Sequence, residues 1–552
     1  MATDGRHSTH SRVRTMVVAA VSAALAAAGA LTATAQGGSS PAGDDQASGY
    51  PGKHPVVATD HGQVRGQADA LVTSYKGIPY AKPPTDGLRW KAPQPAAKWN
   101  GVRDATAFGG SCTQGSGWDP GYDKPTLNED CLYLNVYRPS RSTKKNLPVF
   151  VWNHGGGNTG GAGRDTNPDK FVTRQDVVYV TINYRLGAMG WLYSDALAKD
   201  NKDGAAGNFG LLDQQAALRW VQHNIGSFGG NPDNVTLAGQ SAGARNTCTQ
   251  LAAPGARGLF DRAILQSGGC TSPTRSTQEA AKSGDDFSSA LNCPATKAQL
   301  ACLRGKTPAE ILAAQQKVAQ SSSVYGTSVL PEDPLALLKA GKLTKLPVVV
   351  GGTSDESQQS VYGQYDYRGN PLTAAQVAGL VEDTYPEGAD RIEAAYPVDD
   401  YWSPTVAWGA IQSDQRACRD QTQRERLAAD TRSYAYEFAE KDGPPFTSIW
   451  RLGTDYPFGA THVNDLGYLW DYLGTALPFS TDQVALSNQM ISYWGSFTED
   501  GDPAVKSAPA WPTYSSQGSM LQFQAPSARR VTHAQIDKEH HCALWDAVSP
   551  AP

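Results

Sequence analysis

The pentapeptide Gly239-Gln240-Ser241-Ala242-Gly243 constrains this chain more than any other stretch. It joins a short apolar run, Asn234–Ala238, to a segment able to start a helix. A serine hydroxyl attacks poorly unless it is held exposed beside a base. A tight strand-to-helix bend of the form Gly-x-Ser-x-Gly does this, because small neighbours let the backbone take a strained geometry without a clash. The N–H groups that follow sit at a helix N-terminus, where negative charge is favoured. An ordinary Gly/Ser-rich turn carries the same letters, so the surroundings must decide.

Those surroundings alternate between apolar runs and helical patterns. Leu147–Asn153, Val177–Asn183, Asn234–Gly239, Arg262–Ser267, Leu346–Gly351 and Ser433–Phe438 are near-continuous apolar runs. Such runs mark strands covered on both faces, as in a parallel sheet between helices. Gly210–His223 repeats apolar residues at intervals of three and four, an amphipathic helix, and Gln483–Phe497 reads the same way. This alternation predicts one doubly wound α/β sheet with large insertions at roughly 276–335 and 356–430.

The N-terminal end predicts a leader. Arg6, Arg12 and Arg14 precede an uncharged Ala/Val/Leu run from Met16 to about Leu31, followed by Ala33-Thr34-Ala35. That is the layout of a secretory signal over 1–35, with cleavage after Ala35. A membrane anchor is the alternative, since the run approaches spanning length. Residues 36–54 read as a flexible leader, and 55–548 as a single domain, because no linker or repeat divides the rest. A net charge of −5 gives no support for nucleic-acid or anionic-membrane binding. Eight cysteines suit an oxidising compartment and can pair completely.

Several further motifs stand in one order along the chain. They are Gly77–Pro84 with Leu88–Trp90, Glu129–Val136, His154–Gly157, Asn183–Gly187, Gly207–Gln214 and Asn224–Pro232, ending at the serine turn. Together they resemble the type-B carboxylesterase/lipase family, from about Val56 to Trp545, and the Ala- and Gly-heavy composition suggests a bacterial member. The resemblance implies an α/β-hydrolase fold: a large, mostly parallel central sheet flanked by helices, with insertions forming a catalytic gorge. It also implies a secreted serine hydrolase that cleaves carboxylic esters of small-molecule substrates, with no cofactor and no metal. A triacylglycerol lipase is the alternative within enzymes. A non-catalytic adhesion protein of the same fold is the alternative outside them.

The resemblance assigns Ser241 as nucleophile, His462 in Gly459–Leu466 as base, and Glu356 in Gly352–Ser357 as the orienting acid, with Asp355 as the neighbour that could replace it. Gly156, Gly157 and Ala242 fall at the positions that donate N–H groups to the oxyanion. A glycine run fits that role, because a Cβ would obstruct approach to the substrate carbonyl. Ser267 resembles a residue supporting the acid–base pair, with strand-end capping as the plainer reading.

Two departures from the family pattern stand out. Gln240 replaces the common Glu before the nucleophile, which weakens negative potential there and removes a carboxylate clash with Asp465. That predicts a preference for uncharged esters over quaternary-ammonium esters such as choline esters; short-to-medium acyl chains are expected alongside it. Asn158 replaces a common aromatic and predicts a more polar pocket wall. Trp118, Tyr122, Trp408 and Trp450 are expected near the gorge mouth. By the same resemblance Cys112 pairs with Cys131, Cys293 with Cys302, and Cys418 with Cys542. Cys248 and Cys270 remain, and could pair.

Overall fold

Six of the apolar runs form the centre of an eleven-stranded sheet. The computed structural model describes residues 54–116, 124–446, 454–515 and 518–549. The signal-like stretch 1–35, nearly all of 36–54, and Trp118, Tyr122 and Trp450 lie outside them.

In chain order the sheet strands are β1 (Gln67–Ala68), β2 (Val72–Pro79), β3 (Tyr133–Pro139), β4 (Leu147–Asn153), β5 (Val178–Ile182) and β6 (Gly230–Gln240). They continue as β7 (Arg262–Gln266), β8 (Val348–Thr353), β9 (Ser433–Phe438), β10 (Ser519–Phe523) and β11 (Arg529–Thr532). Their spatial order is β1-β2-β3-β5-β4-β6-β7-β8-β9-β10-β11. From β5 to β10 every neighbouring pair is parallel. The pairs at the two edges are antiparallel. Every residue of β5 and β9 is buried, as two-sided cover requires. The sheet is therefore the mostly parallel one expected, extended by antiparallel strands at both edges.

Helices cover both faces. The amphipathic pattern around Gly210 becomes α1 (Phe209–Asn224). Ala242–Ala252 forms α2, immediately after the serine turn. The insertion at 356–430 is more regular than expected, because it contains the 27-residue helix α3 (Pro404–Asp430). That helix buries Thr405, Ser413, Gln423 and Arg424 alongside Val406, Trp408 and Ile411, so polar residues interrupt the apolar period that would have announced it. The second expected helix is α4 (Thr481–Asp500), started by a Ser480 capping box and stopped by left-handed Gly501. Trp408 is not a gorge residue: it is buried in a core cluster with Val361, Ile411 and Trp545.

Four disulfides fasten the layers. The pairs are Cys112–Cys131, Cys248–Cys270, Cys293–Cys302 and Cys418–Cys542. The pair open in the sequence, Cys248–Cys270, ties α2 to the segment after β7. Cys418–Cys542 ties α3 to α5 (Cys542–Val548) at the C-terminal end. Beside that bridge, His540 is buried between two carboxylates, with Nδ1 2.7 Å from Asp414 and Nε2 2.6 Å from Glu437. Burial alone would lower its pKa, but Glu437 and Asp414 outweigh it and raise the imidazole to about 10.

A histidine raised in this way adds stability that is complete below its ordinary value of 6.5 and is lost as pH rises toward about 10. Removing one partner from such a buried network costs about 3–5 kcal/mol. His540→Gln is therefore expected to melt well below the parent at pH 6, with the gap closing by pH 10. Thermal denaturation across that range checks it, and a pH-independent gap would contradict it.

Candidate active site

The serine turn sits where the central strands end. Ser241 follows β6 with φ 56° and ψ −120°, a combination that ordinary L-residues avoid. A Cβ on Gly239 would collide with the Gly243 backbone, and one on Gly243 with the Asn153 carbonyl at the end of β4. Both flanking glycines are thus required by close approach. The Ser241 N–H donates to the Gln266 carbonyl of β7 at 2.8 Å, which fixes the bend against the next strand.

Two loops farther along carry the expected acid and base. Glu356 lies just past β8 and is 4% exposed. Its Oε1 is 2.5 Å from His462 Nδ1 and 2.9 Å from the Arg416 guanidinium on α3. Its Oε2 accepts from the Ser267 hydroxyl at 3.1 Å, from the Thr353 N–H at 3.0 Å and from the Thr353 hydroxyl. Burial alone would raise this carboxyl, yet Arg416, His462 and Thr353 outweigh it and hold it down at about 2. Asp355 takes a different role. Its carboxylate accepts from the Ala460 N–H at 3.0 Å and pairs with Lys441 at 3.2 Å, while its own N–H donates to the Ala460 carbonyl at 3.1 Å. It splices the acid loop to the histidine loop.

Gln240 also reaches the histidine loop, its Nε2 donating to the His462 carbonyl at 2.7 Å. A glutamate could not make that bond, since a carboxylate only accepts. Ser241 thus stands beside the side chain that holds His462, although the Ser241 hydroxyl makes no hydrogen bond to His462 among the described residues. Such contacts are commonly loose in an empty site and tighten with substrate.

The glycine loop follows β4. Gly156 and Gly157 have φ of 93° and 65°, and Gly156 packs against Gly160 too closely for a side chain. Ala242 is the first residue of α2, so its N–H has no partner within the helix. Among the described residues the N–H groups of Gly156, Gly157 and Ala242 donate to no protein acceptor. Gly155, Gly156 and Gly157 line a cavity of about 650 Å³ with Gln240, Gln315, Gln359, Trp152, Phe446 and Trp470. His154 in the same lining is pushed down by burial to about 4, against a weaker opposing bond to Gly155, and is neutral at physiological pH. Asn158 does not form a wall. It is fully buried beneath the loop and paired with Asn246 of α2.

Sequence reasoning missed Arg416, because nothing local distinguishes it from the other cations of α3. No three His, Cys, Asp or Glu side chains among the described residues converge as a metal site would require. A larger cavity of about 1180 Å³ lies behind the acid loop, lined by Asp355, Gly459 and His540, away from the glycine run.

Asp465 lies fully buried three residues past His462. One oxygen accepts from Gln266 at 2.9 Å and from the Tyr436 hydroxyl at 2.8 Å, and the other has no hydrogen-bond partner among the described residues. Burial, the largest influence, outweighs those bonds and raises its carboxyl to about 6.

Comparison with known proteins adds to this geometry. The model of the carboxylesterase family matches residues 53–545. The chain is 34% identical to the para-nitrobenzyl esterase of Bacillus subtilis, over 84% of this chain and 93% of that protein. It is 31% identical to the cocaine esterase of Homo sapiens, over 90% and 92% of the two chains. Among solved structures, a Geobacillus stearothermophilus carboxylesterase superposes with a TM-score of 0.75 at 29% identity, covering 89% of this chain and 99% of that one.

An acid whose pKa is raised on folding lowers stability as pH climbs from its ordinary 3.8 to about 6, and the cost stays in full above that. Two units correspond to roughly 3 kcal/mol. Asp465→Asn keeps an acceptor for Gln266 and Tyr436 without the charge. It should raise the melting temperature at pH 8 and change it little at pH 4. Equal effects at both pH values would refute the assignment.

Proposed function

The chain belongs to the carboxylesterase family and is a carboxylic ester hydrolase of the α/β-hydrolase fold, and we propose that it works through an acyl-enzyme on Ser241. His462 takes the Ser241 proton at Nε2 as Oγ attacks the substrate carbonyl carbon. The resulting oxyanion accepts hydrogen bonds from the N–H groups of Gly156, Gly157 and Ala242. Collapse expels the alcohol, which leaves with the proton from His462. Water, deprotonated by the same imidazole, then attacks the acyl carbon and releases the acid.

The observation that carries this reading is the 2.5 Å contact between Glu356 and His462 Nδ1. It fixes the imidazole tautomer whose Nε2 is free to accept a proton, and it stabilises the imidazolium once formed. With its carboxyl held at about 2, Glu356 stays anionic throughout the working range. It therefore orients and compensates without exchanging the proton.

The cavity favours uncharged esters. Its described lining holds one carboxylate, Asp165, a neutral His154, and a set of glutamine and aromatic side chains. Such a surface offers no concentrated negative field to a quaternary ammonium group. The protein is further read as secreted. Four disulfides fit an oxidising compartment, and no described helix is long and apolar enough to cross a membrane.

Three outcomes follow. A fluorophosphonate should add mass to Ser241 and leave Ser241→Ala unlabelled, while Glu356→Gln lowers kcat about ten-thousandfold. Absence of label on the folded parent would overturn the acyl-enzyme reading. On matched acyl chains, kcat/KM should be higher for a nitrophenyl ester than for a thiocholine ester, and the reverse order would refute the preference for uncharged esters. Protein recovered outside the cell should begin at Gln36, whereas an intact N-terminus would contradict the signal.

A further inference from the structure

We propose that Asn158 and Asn246 are positioning residues for the oxyanion hole, an amide pair that sets where the glycine loop lies over Ser241. The inference rests on the oxyanion assignment above and goes one step beyond it.

Gly155, Gly156 and Gly157 have no side chains, and among the described residues their carbonyls are bonded only within the loop, Gly155 to the His154 ring and Gly156 to Thr159 and Gly160. The loop must be held from its ends. At the first end, the His154 carbonyl accepts from the Tyr184 hydroxyl at 2.7 Å, and the two rings stack with centroids 4.4 Å apart. At the second end stands Asn158, left-handed at φ 59° and fully buried. Its Nδ2 donates to Asn246 Oδ1 at 3.2 Å, and Asn246 Nδ2 donates back to Asn158 Oδ1 at 2.8 Å. The same Nδ2 lies 3.0 Å from the Ser321 carbonyl, and the Asn158 carbonyl accepts from the Gly187 N–H at 2.6 Å.

Asn246 is itself fully buried and belongs to α2, the helix whose first residue is Ala242. The pair therefore couples the two sources of oxyanion donors directly: Gly156 and Gly157 on the loop, Ala242 at the helix start. Oxyanion stabilisation depends on donors held in place before the reaction, since a donor that must reorganise gives back much of its effect. An amide pair suits this place better than an ion pair. It supplies two directional bonds and tolerates the left-handed backbone at Asn158. It puts no net charge under the site where negative charge develops.

Transition-state donors act on kcat, whereas a loss of general packing acts on stability. The test uses the full-length enzyme, a dissolved nitrophenyl ester, and the variants Asn158→Gly, Asn246→Ala and their double. Glycine accepts φ 59° freely and alanine suits a helix, so both singles keep the backbone conformations. Each single is expected to lower kcat about tenfold or more with KM changed less than about threefold, and the double to be no worse than the poorer single. Asn246→Asp, nearly the same size, loses the donor to Asn158 and should lower kcat as well, while melting below the parent because its carboxyl is buried, so kcat is compared at a temperature where every variant is folded. Folded singles with kcat within twofold of the parent would overturn the proposal. So would losses that multiply in the double. Fluorophosphonate labelling of the parent separates the two readings. If the parent fails to label, the acyl-enzyme reading fails. If the parent labels and the variants keep full kcat, only the positioning role fails.

Discussion

At Ser241 the backbone adopts φ 56° and ψ −120°, a conformation that costs on the order of 1–3 kcal/mol and persists only where the surroundings enforce it. Three parallel strands enforce it here. β6 delivers the chain to the bend, β4 lies so close that Gly243 can carry no side chain, and β7 receives the Ser241 N–H through the Gln266 carbonyl. The sheet core beneath these strands supplies the stability on which this strain draws. In return, the serine stands clear of its own backbone and the first N–H groups of α2 are left open. Both consequences are conditions for acyl transfer.

Electrostatics around the imidazole divide two buried carboxylates by their donors. Glu356 collects Arg416, Thr353, Ser267 and His462 and is held at about 2. Asp465 has Gln266 and Tyr436 on one oxygen and no hydrogen bond on the other among the described residues, and it rises to about 6. Burial pushes both upward, so the difference comes from the number and charge of the partners. The backbone keeps the arrangement in register: Asp355 splices the acid and histidine loops, and Gln240 ties the histidine loop to the nucleophile turn. Replacing the family's usual glutamate with an amide thus turns an acceptor into a donor at the centre of the site.

The parts of this structure legible in the sequence were those with a local physical signature. Buried parallel strands announce themselves as apolar runs, and all six runs are strands of the sheet. The nucleophile turn and glycine loop announce themselves because only glycine tolerates their contacts. Side-chain roles that depend on distant partners were not legible. Arg416 looks like any cation of a polar helix until α3 is packed against β8. Asn158 reads as a polar pocket residue until its left-handed φ turns the amide down toward Asn246. Trp408 reads as a gorge aromatic until α3 buries it. The helix itself was hidden because its buried face mixes Arg424, Gln423 and Ser413 with apolar residues. The short edge strands β1 and β11 lack two-sided burial, while β2, β3 and β10 bury polar residues such as Thr73, Asn135 and Gln522 among their apolar ones, which breaks the run.

On this reading the hydroxyl of Ser241, the imidazole of His462 and the open N–H groups of Gly156, Gly157 and Ala242 surround one point. A crystal structure of the phosphonylated protein tests this directly, because phosphorus takes the place of the tetrahedral carbon. Phosphorus is expected bonded to Ser241 Oγ, with one phosphoryl oxygen within hydrogen-bond distance of the three N–H groups. His462 Nε2 should lie beside Oγ, with Nδ1 still on Glu356. A phosphoryl oxygen turned away from the glycine loop, or an imidazole out of reach of the adduct, would contradict it.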